Sequence, residues 1–164
     1  MSTMTNQTEI SVDPDVPMVR ITREFDAPPE KVFRAHVDPE LVRQWLGPRR
    51  HEMVVDRWDC RTGGSYRYVH QSDGNEFGFH GCFHEVRPNE LIVQTFTFEG
   101  EPDEVALEKL RLEDLGNGRT RLIAESLVDS FESRDAFVAS GMETGVTEGY
   151  ESLDAVLANR AEIT

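Results

Sequence analysis

Residues 136–159 read AFVASGMETGVTEGYESLDAVLAN, and this stretch decides the fold. Together with residues 133–135 it predicts one long C-terminal helix, because apolar residues recur three or four positions apart. The polar side chains between them fall on the opposite side, where water would lie. The predicted buried positions are Val138, Met142, Val146, Tyr150, Leu153 and Leu157, and the predicted exposed positions are Glu143, Thr147, Glu151 and Asn159.

Three glycines interrupt the buried side of this helix. Gly141, Gly145 and Gly149 follow one another at a spacing of four, and Leu153 and Leu157 continue the same row. Each glycine inside a helix costs about 1 kcal/mol relative to alanine. Either another backbone packs directly on the glycines, or their missing side chains leave room for a ligand. Both explanations stay open, and each can hold for a different part of the row.

The composition excludes several classes of partner. The chain has 164 residues, enough for one domain with a core, and a formal net charge of −14 that would repel nucleic acid and anionic membranes. No stretch approaches the ~18 apolar residues of a membrane-spanning helix, and residues 1–17 lack the apolar run of a signal peptide. Two cysteines, Cys60 and Cys82, are typical of a reducing compartment. We therefore expect a cytoplasmic protein with no nucleic-acid and no membrane partner.

The order of elements along the chain predicts an α+β domain. Residues 1–17 are polar and aperiodic, and we expect a flexible tail there, before a domain over residues 18–160. An alternating strand over 18–26 opens the domain, and two short helices follow over 27–46. The chain then alternates between strands and turns, with a bulge expected near Glu85. The six further strands cover residues 53–59, 65–71, 76–87, 91–99, 104–115 and 120–128.

A seven-stranded antiparallel sheet must twist and curve, and the long C-terminal helix can lie across its concave side. A curved sheet rarely closes completely around one helix, so the open end is filled by large side chains or left as a cavity. Leu153 and Leu157 fill the C-terminal end of the predicted helix, whereas the glycines leave the other end bare. The short helix that carries Trp45 is the natural lid over that end.

Four segments of the chain resemble a known family. They read APPEKVFRAHVDPELVRQWLGP, DCRTGGSYRY, FHGCFHEVRPNELIVQTF and GMETGVTEGYESLDAVLAN, in this order. They are similar to the Bet v 1-like, START-like (SRPBCC) superfamily, and within it to the activator of Hsp90 ATPase homologue 1-like family. The similarity runs from about Val19 to Ala158, which is nearly the whole expected domain.

The resemblance implies a helix-grip fold, in which a seven-stranded antiparallel sheet surrounds a long C-terminal helix and leaves a hydrophobic cavity. It implies function only broadly, because members of the superfamily carry lipids, bind hormones, cyclise polyketides or assist chaperones. The eukaryotic activator has an additional N-terminal domain, and the residues before Met18 offer no counterpart to it. We expect no cofactor.

The side chains of His80, Cys82 and His84 would share one face of the strand over residues 76–87, and His70 on the neighbouring strand could join them. Zinc accepts such ligands. Alternate side chains on a strand lie ~7 Å apart, however, so one ion cannot collect three of them without bending the backbone. A solvated polar face is the alternative, and we expect no metal site.

Glu108 is in phase with Leu110 and Leu112, so we expect it to face the cavity, where burial would raise the pKa of its carboxyl. The alternative is a glutamate in water at a strand end. No nucleophile elbow or phosphate-binding loop is present, and whether the protein is an enzyme stays open. The candidate ligand-binding residues are Trp45, Tyr66, Tyr68, Phe79, Phe96, Phe98, Glu108, Leu110, Met142, Gly145, Val146, Gly149 and Tyr150.

Three functions are compatible with these features. The first is binding of a small hydrophobic or aromatic molecule, such as a lipid, a polyketide or a flavonoid-like compound, between the helix and the sheet. The second is a polyketide cyclase-like or hydrolase-like enzyme that uses Glu108 and a tyrosine in the same cavity. The third is a co-factor of an Hsp90-type chaperone. An exposed sheet edge could also pair in a homodimer.

Overall fold

The computed structural model describes residues 6–159. Within this range the chain forms eight β-strands and four α-helices. The strands are β1 Glu9–Val12, β2 Met18–Phe25, β3 Glu52–Trp58, β4 Ser65–Ser72, β5 Asn75–Arg87, β6 Leu91–Phe98, β7 Ala106–Gly116 and β8 Arg119–Leu127. The helices are α1 Pro29–Val37, α2 Pro39–Trp45, α3 Phe131–Ala139 and α4 Met142–Ala158.

All the strands belong to one antiparallel sheet, in the order β1-β2-β8-β7-β6-β5-β4-β3. From β3 to β8 each strand pairs with the next one in sequence, and β8 pairs with β2. The two short helices α1 and α2 come between β2 and β3, as the sequence predicted. The expected α+β helix-grip fold, with a curved antiparallel sheet and a long C-terminal helix, is confirmed.

The sheet has one strand more than the seven expected. β1 lies within the segment that was expected to be a flexible tail, and it pairs with β2 from Glu9↔Thr22 to Val12↔Val19. Ile10 of this strand is half-buried and packs against the core. The expectation of a tail over residues 1–17 is therefore corrected for residues 9–12, while residues 1–5 lie outside the described residues.

Turn chemistry fixes the strand register. Asp73 and Gly74 join β4 to β5, and both have positive φ, 51° and 81°, as a two-residue hairpin of matching twist requires. The predicted bulge is confirmed, because the pairing of β5 with β6 shifts between Phe83 and Glu85. These local features keep alternate side chains of β5 on the concave face at both ends of a long strand.

The corner between α1 and α2 places the lid over the helix. Asp38 caps α2, since its carboxylate accepts a hydrogen bond of 3.0 Å from the N–H of Glu40. The short helix that follows carries Trp45 inward, where its indole N–H donates to the carbonyl oxygen of Ala35 at 2.9 Å. The Trp45 ring stacks on Tyr150 of α4, with the ring centroids 6.1 Å apart. Helix α2 therefore packs over α4, in the position that the sequence predicted for a lid.

The predicted C-terminal helix is broken once. α3 ends at Ala139, α4 begins at Met142, and Gly141 between them has φ of 93°, a left-handed conformation that glycine adopts at little cost. The prediction of one continuous helix over residues 133–159 is thus wrong at this point. Val138, predicted to be buried, is 38% exposed on α3, the helix that ends before this break.

Large side chains fill the space between the C-terminal half of α4 and the sheet, as the sequence indicated. Leu153 is fully buried, and Val156 and Leu157 are buried beside it. They belong to one cluster with sheet residues such as Phe25 and Leu122. Each of these large side chains contributes about 1.5–3 kcal/mol by leaving water. The opposite end of α4 is packed differently.

Candidate functional site

A cavity of about 430 Å³ lies beside the N-terminal half of α4. Its walls come from that half of α4, from α2 with the loop that leads to β3, and from inward-facing side chains of the sheet. The wall is mainly apolar. Sites for small molecules are typically concave, mostly apolar and roughly 300–1,000 Å³ in volume. The volume of this cavity falls within that range, and its wall is mainly apolar as in such sites.

The row of glycines has two different environments. A Cβ on Gly149 would lie 3.0 Å from the carbonyl oxygen of Trp45, so the backbone at the end of α2 packs directly on α4 there. A Cβ on Gly145 would lie 3.4 Å from Cδ of Pro48, which is an ordinary contact, and a Cβ on Gly141 would meet nothing within 4 Å. Backbone therefore approaches closely at Gly149, as the first explanation expects, whereas the space beside Gly145 and Gly141 is more open.

Most of the candidate ligand-binding residues line this cavity. They come from the lid, from the concave face of the sheet and from the first half of α4, which the fold brings together around one volume. The two candidates that lie outside the wall are Tyr66 and Phe98. The candidates in the wall are Trp45, Tyr68, Phe79, Phe96, Glu108, Leu110, Met142, Gly145, Val146, Gly149 and Tyr150.

Tyr66 and Phe98 face the concave side but lie away from the cavity. Tyr66 is only 1% exposed, and its hydroxyl donates to the carbonyl oxygen of Thr95 at 2.6 Å. Phe98 packs against the ring of Phe79, with centroids 5.4 Å apart. The sequence pattern gave the correct face of each strand, but alternation carries no information on how far along the strand the cavity extends.

Glu108 forms the polar end of the cavity. One carboxylate oxygen, Oε2, accepts a hydrogen bond of 2.8 Å from the hydroxyl of Ser126, and the other, Oε1, accepts one of 3.3 Å from the amide of Gln94. The carboxylate is surrounded by protein, although part of the residue's surface faces the cavity. Burial raises the pKa of Glu108, and the two hydrogen bonds lower it by less. The expected position and the expected direction of the pKa shift are both found.

Two tyrosines add hydroxyl groups to the wall. Burial raises the pKa of Tyr68 and of Tyr150, and the charge of Glu108 raises each further, so both stay protonated at neutral pH. Neither hydroxyl forms a hydrogen bond with another group in residues 6–159. Buried tyrosine hydroxyls usually have a partner, and here a ligand can supply it.

Sequence reasoning missed the two residues that hold Glu108. In the strand registers Gln94 lies opposite Glu108 on one side, and Ser126 lies opposite it on the other. Directly opposed side chains on one face are about 5 Å apart. The turn at residues 116–118 carried enough information to place Ser126, because a tight hairpin fixes the register of its two strands. Gln94 had no such signal, since a longer loop joins β6 to β7.

Two histidines complete the wall beside the α2–β3 loop. The Nδ1 atoms of His51 and His70 are 3.4 Å apart, and the ring of His51 stacks on Phe77 at 5.7 Å. Burial lowers the pKa of His70 to about 4, and the neighbouring His51 contributes in the same direction. The His70 ring packs on Gly47, where a Cβ would collide with it. The sequence analysis considered His70 only as a metal ligand, whereas it lies inside the cavity wall.

The side chains of His80, Cys82 and His84 are exposed on the opposite face of the sheet. His80 Nδ1 lies 2.8 Å from Glu99, which also forms a two-pronged ion pair with Arg67. The hydrogen bonds from Arg67 and then His80 lower the pKa of Glu99 to about 2. In the described part of the chain, no three His, Cys, Asp or Glu side chains are close enough to hold a metal ion. This face is a solvated surface with an ion-pair cluster.

The sequence matches a family model over residues 26–158, that of the Activator of Hsp90 ATPase homolog 1-like protein. The chain belongs to this family. The matched range runs through the end of α4 and includes nearly all of the cavity wall, so the earlier resemblance is confirmed. No curated protein matches the chain. Among residues 6–159, no helix is long and apolar enough to cross a membrane.

Solved structures with the same architecture come from several bacteria. A protein of Rhodobacter sphaeroides is 27% identical, with a TM-score of 0.83 over 93% of this chain and 99% of its own. A protein of Arthrobacter aurescens is 26% identical, with a TM-score of 0.84 over 95% of this chain and 94% of its own. CalU16 from Micromonospora echinospora is 22% identical, with a TM-score of 0.62 over 94% of this chain and 88% of its own, and it shows likeness of fold alone.

Proposed function

We propose that this member of the activator of Hsp90 ATPase homolog 1-like family binds a small hydrophobic or aromatic molecule in the cavity beside α4. The observation that carries the proposal is a cavity of about 430 Å³ lined mainly by aromatic and aliphatic side chains. Its wall includes the Glu108 carboxyl and two tyrosine hydroxyls that have no partner within residues 6–159. The apolar wall favours a lipid-like, polyketide-like or flavonoid-like ligand. The two free cysteines favour the cytoplasm as its location.

The packing of α4 supports binding rather than a purely structural role. Helix α4 keeps Gly145 where a Cβ would have only an ordinary contact, so the side chain could be larger without displacing backbone. An alanine there would improve helix stability by about 0.5–1 kcal/mol. The retained glycine widens the cavity at the expense of stability, which is typical of functional sites.

The first test is to look for a retained molecule by native mass spectrometry and to screen small apolar compounds by thermal shift. We expect at least one compound to raise the melting temperature of the wild-type protein. Ala124→Leu should abolish this rise, because Ala124 lines the cavity floor and the larger side chain would occupy the volume. Ala155→Leu is the matched control, because Ala155 is exposed on α4. A ligand effect that survives Ala124→Leu unchanged would contradict the proposed site.

A second candidate function is catalysis in the same cavity, and Glu108 is the observation that favours it. Burial raises the pKa of the Glu108 carboxyl, and a carboxyl with a raised pKa can serve as a general acid or base. The hydroxyls of Tyr68 and Tyr150 could orient a substrate oxygen. Conversion of a bound molecule by the wild type, lost in Glu108→Gln while binding persists, would distinguish an enzyme from a carrier. The family description also raises an Hsp90-type chaperone as a partner, and the cavity favours the small molecule.

A further inference from the structure

Glu108 is an acidic group inside an apolar cavity, and it has no basic partner. Within residues 6–159 it forms no ion pair and receives hydrogen bonds only from neutral groups. Lys109 and Arg111 follow it on β7, and both line a depression on the other face of the sheet. Lys109 also borders the cavity, but strand alternation directs its side chain to the other face. Arg23 of β2 points inward, but its two terminal nitrogens are bound to Asp154 at 2.7 Å each.

The remaining titratable groups around the cavity do not supply a cation either. Burial lowers the pKa of His36 and of His70 to about 4 each, so both are neutral at neutral pH. Arg50 is exposed beside the α2–β3 loop, where its Nε lies 3.4 Å from His51. Glu125 of β8 also borders the cavity, but its carboxylate pairs with Arg20 at 2.8 Å, and strand alternation places its side chain on the other face. Within residues 6–159 no cationic side chain contacts the carboxylate of Glu108, so a ligand can provide the positive charge that Glu108 meets.

The hydrogen-bond network fixes Oε1 of Glu108 as an acceptor. Tyr66 donates its hydroxyl proton to the carbonyl oxygen of Thr95, which has no proton to return. The Tyr66 oxygen can therefore only accept from Gln94, at 3.2 Å, and Gln94 must present its NH₂ group there. The same NH₂ group then donates to Glu108, and Ser126 donates to the other oxygen. Donors on both sides leave the remaining lone pairs of the carboxylate for a donor on the ligand.

We propose that the ligand is an aromatic molecule with a protonated amine, and that its ammonium group binds Glu108 with the hydroxyls of Tyr68 and Tyr150 as further acceptors. The inference rests on the proposed function and specifies the chemistry of its ligand. An ammonium group has three N–H donors and no acceptor, which complements a wall that offers one carboxylate and two hydroxyl oxygens.

The rest of the wall also suits such a cation. Aromatic rings attract cations through their negative faces, and the rings of Trp45, Tyr68, Phe79, Phe96 and Tyr150 all border the cavity. The formal net charge of −14 adds a long-range field that draws cations toward the protein. A ligand with a carboxylate would meet Glu108 as a like charge, and a neutral alcohol would leave it without a counter-ion.

The test compares probes that share one ring system and differ only in the polar group. The probes are 1-naphthylmethylamine and 1-naphthylmethanol, titrated into the protein at pH 7.5 and low salt by calorimetry. We expect the amine to bind about tenfold or more tightly than the alcohol, because a hydrogen bond to a charged group is stronger than a neutral one. In Glu108→Gln the amine should lose this advantage. Glu113→Gln is the matched control, because it removes the same charge from an exposed position of β7.

The pH dependence gives a readout that does not rely on a variant. Below the raised pKa of Glu108 the carboxyl is protonated, so the affinity of the amine should fall as the pH is lowered while that of the alcohol stays constant. Equal affinities for the two probes, or a preference for the amine that persists in Glu108→Gln, would overturn the amine inference and leave the binding function standing. No binding of either probe, together with no retained molecule in native mass spectrometry, would overturn both.

Discussion

Gly145 and Gly149 lie one helical turn apart on α4, yet the space beside them differs. At Gly149 the nearest atom to an added Cβ is the carbonyl oxygen of Trp45, which belongs to backbone that cannot move alone. At Gly145 it is Cδ of Pro48 at ordinary contact distance. One position therefore requires glycine for packing, and the other does not.

This difference predicts opposite signs for the same substitution. Gly149→Ala should lower the free energy of unfolding by roughly 1–3 kcal/mol, because the new methyl group overpacks the contact with α2. Gly145→Ala should raise it by about 0.5–1 kcal/mol, because alanine has the higher helix propensity. Urea unfolding of both variants measures the two effects. If both variants were stabilised equally, α2 would not press on α4 as the structure describes.

The alternation of side chains along a strand shows which face of the sheet a residue lies on. It cannot distinguish between two residues on the same face. Tyr66 and Tyr68 are both inward on β4 and both buried, and the pattern treats them alike. Only the structure separates them, because one hydroxyl is bonded to Thr95 and the other has no partner in the described residues. Glu108 was predictable because its phase with Leu110 is visible in the sequence. Gln94, which orients it, was hidden by the unknown register between β6 and β7.

At the level of elements, one partly buried ion pair ties the sheet to the C-terminal helix. Arg23 is 4% exposed, and it reaches from β2 to Asp154 of α4 through two hydrogen bonds of 2.7 Å. Its guanidinium carbon also lies 4.8 Å from the centroid of the Phe25 ring. A buried arginine in an otherwise alternating apolar strand could not be assigned a partner from sequence, because the partner lies 131 residues away.

Removing the acidic partner should be costly. Asp154→Ala leaves Arg23 buried without a counter-ion, and we expect the free energy of unfolding to fall by about 2–4 kcal/mol. Glu151→Ala is the matched control on the same helix, because its ion pair with Arg49 is half-exposed on both sides and such pairs contribute about 0–1 kcal/mol. Chemical denaturation compares the two. Equal losses would show that the Arg23 pair is no more than a surface contact.

The predictability of whole elements follows the strength of their local signals. The β4–β5 hairpin was predictable because Asp73 and Gly74 are residues that tolerate positive φ. The break between α3 and α4 was not predicted, because apolar periodicity continues on both sides of Gly141 and suggests one helix. A glycine after a helix end is a common stop signal, and it was outweighed here. β1 has four residues, too few to establish an alternating pattern.

At the level of the molecule, the fold creates the cavity and a few side chains decide its chemistry. A curved sheet around one helix leaves space wherever the helix lacks side chains, and the sequence predicted both the sheet and the bare segment. It could not predict the identity of a ligand, because ligand chemistry depends on the hydrogen-bond network around Glu108 and on which tyrosine hydroxyls have partners. Those properties require strand registers and side-chain distances.

Acid should destabilise the whole domain, and His36 gives this prediction its sign. Its Nδ1 donates to the carbonyl oxygen of Val32 at 2.7 Å, while Nε2 is buried without a partner in the described residues. Burial lowers the pKa of His36 from 6.5 to about 4. The unfolded chain therefore binds more protons than the folded one between these values. The stabilisation is complete above about pH 6.5 and is lost as the pH falls toward 4.

The expected size of this effect is about 3 kcal/mol, at 1.36 kcal/mol for each unit of pKa. Other groups titrate in the same range, and the raised pKa of Glu108 acts in the opposite direction because its folded form binds its proton more tightly. The contribution of His36 is isolated by comparing how steeply the free energy of unfolding falls with pH in the wild type and in two variants. In His36→Asn the loss of unfolding free energy between pH 7 and pH 4 should be smaller than in wild type, whatever the substitution itself costs. His84→Asn is the control, because His84 is exposed, and it should lose as much unfolding free energy over this pH range as the wild type. Identical slopes in all three proteins would mean that His36 takes up its proton as readily in the folded chain as in the unfolded one, and that the contact between α1 and the lid over the cavity is open to water.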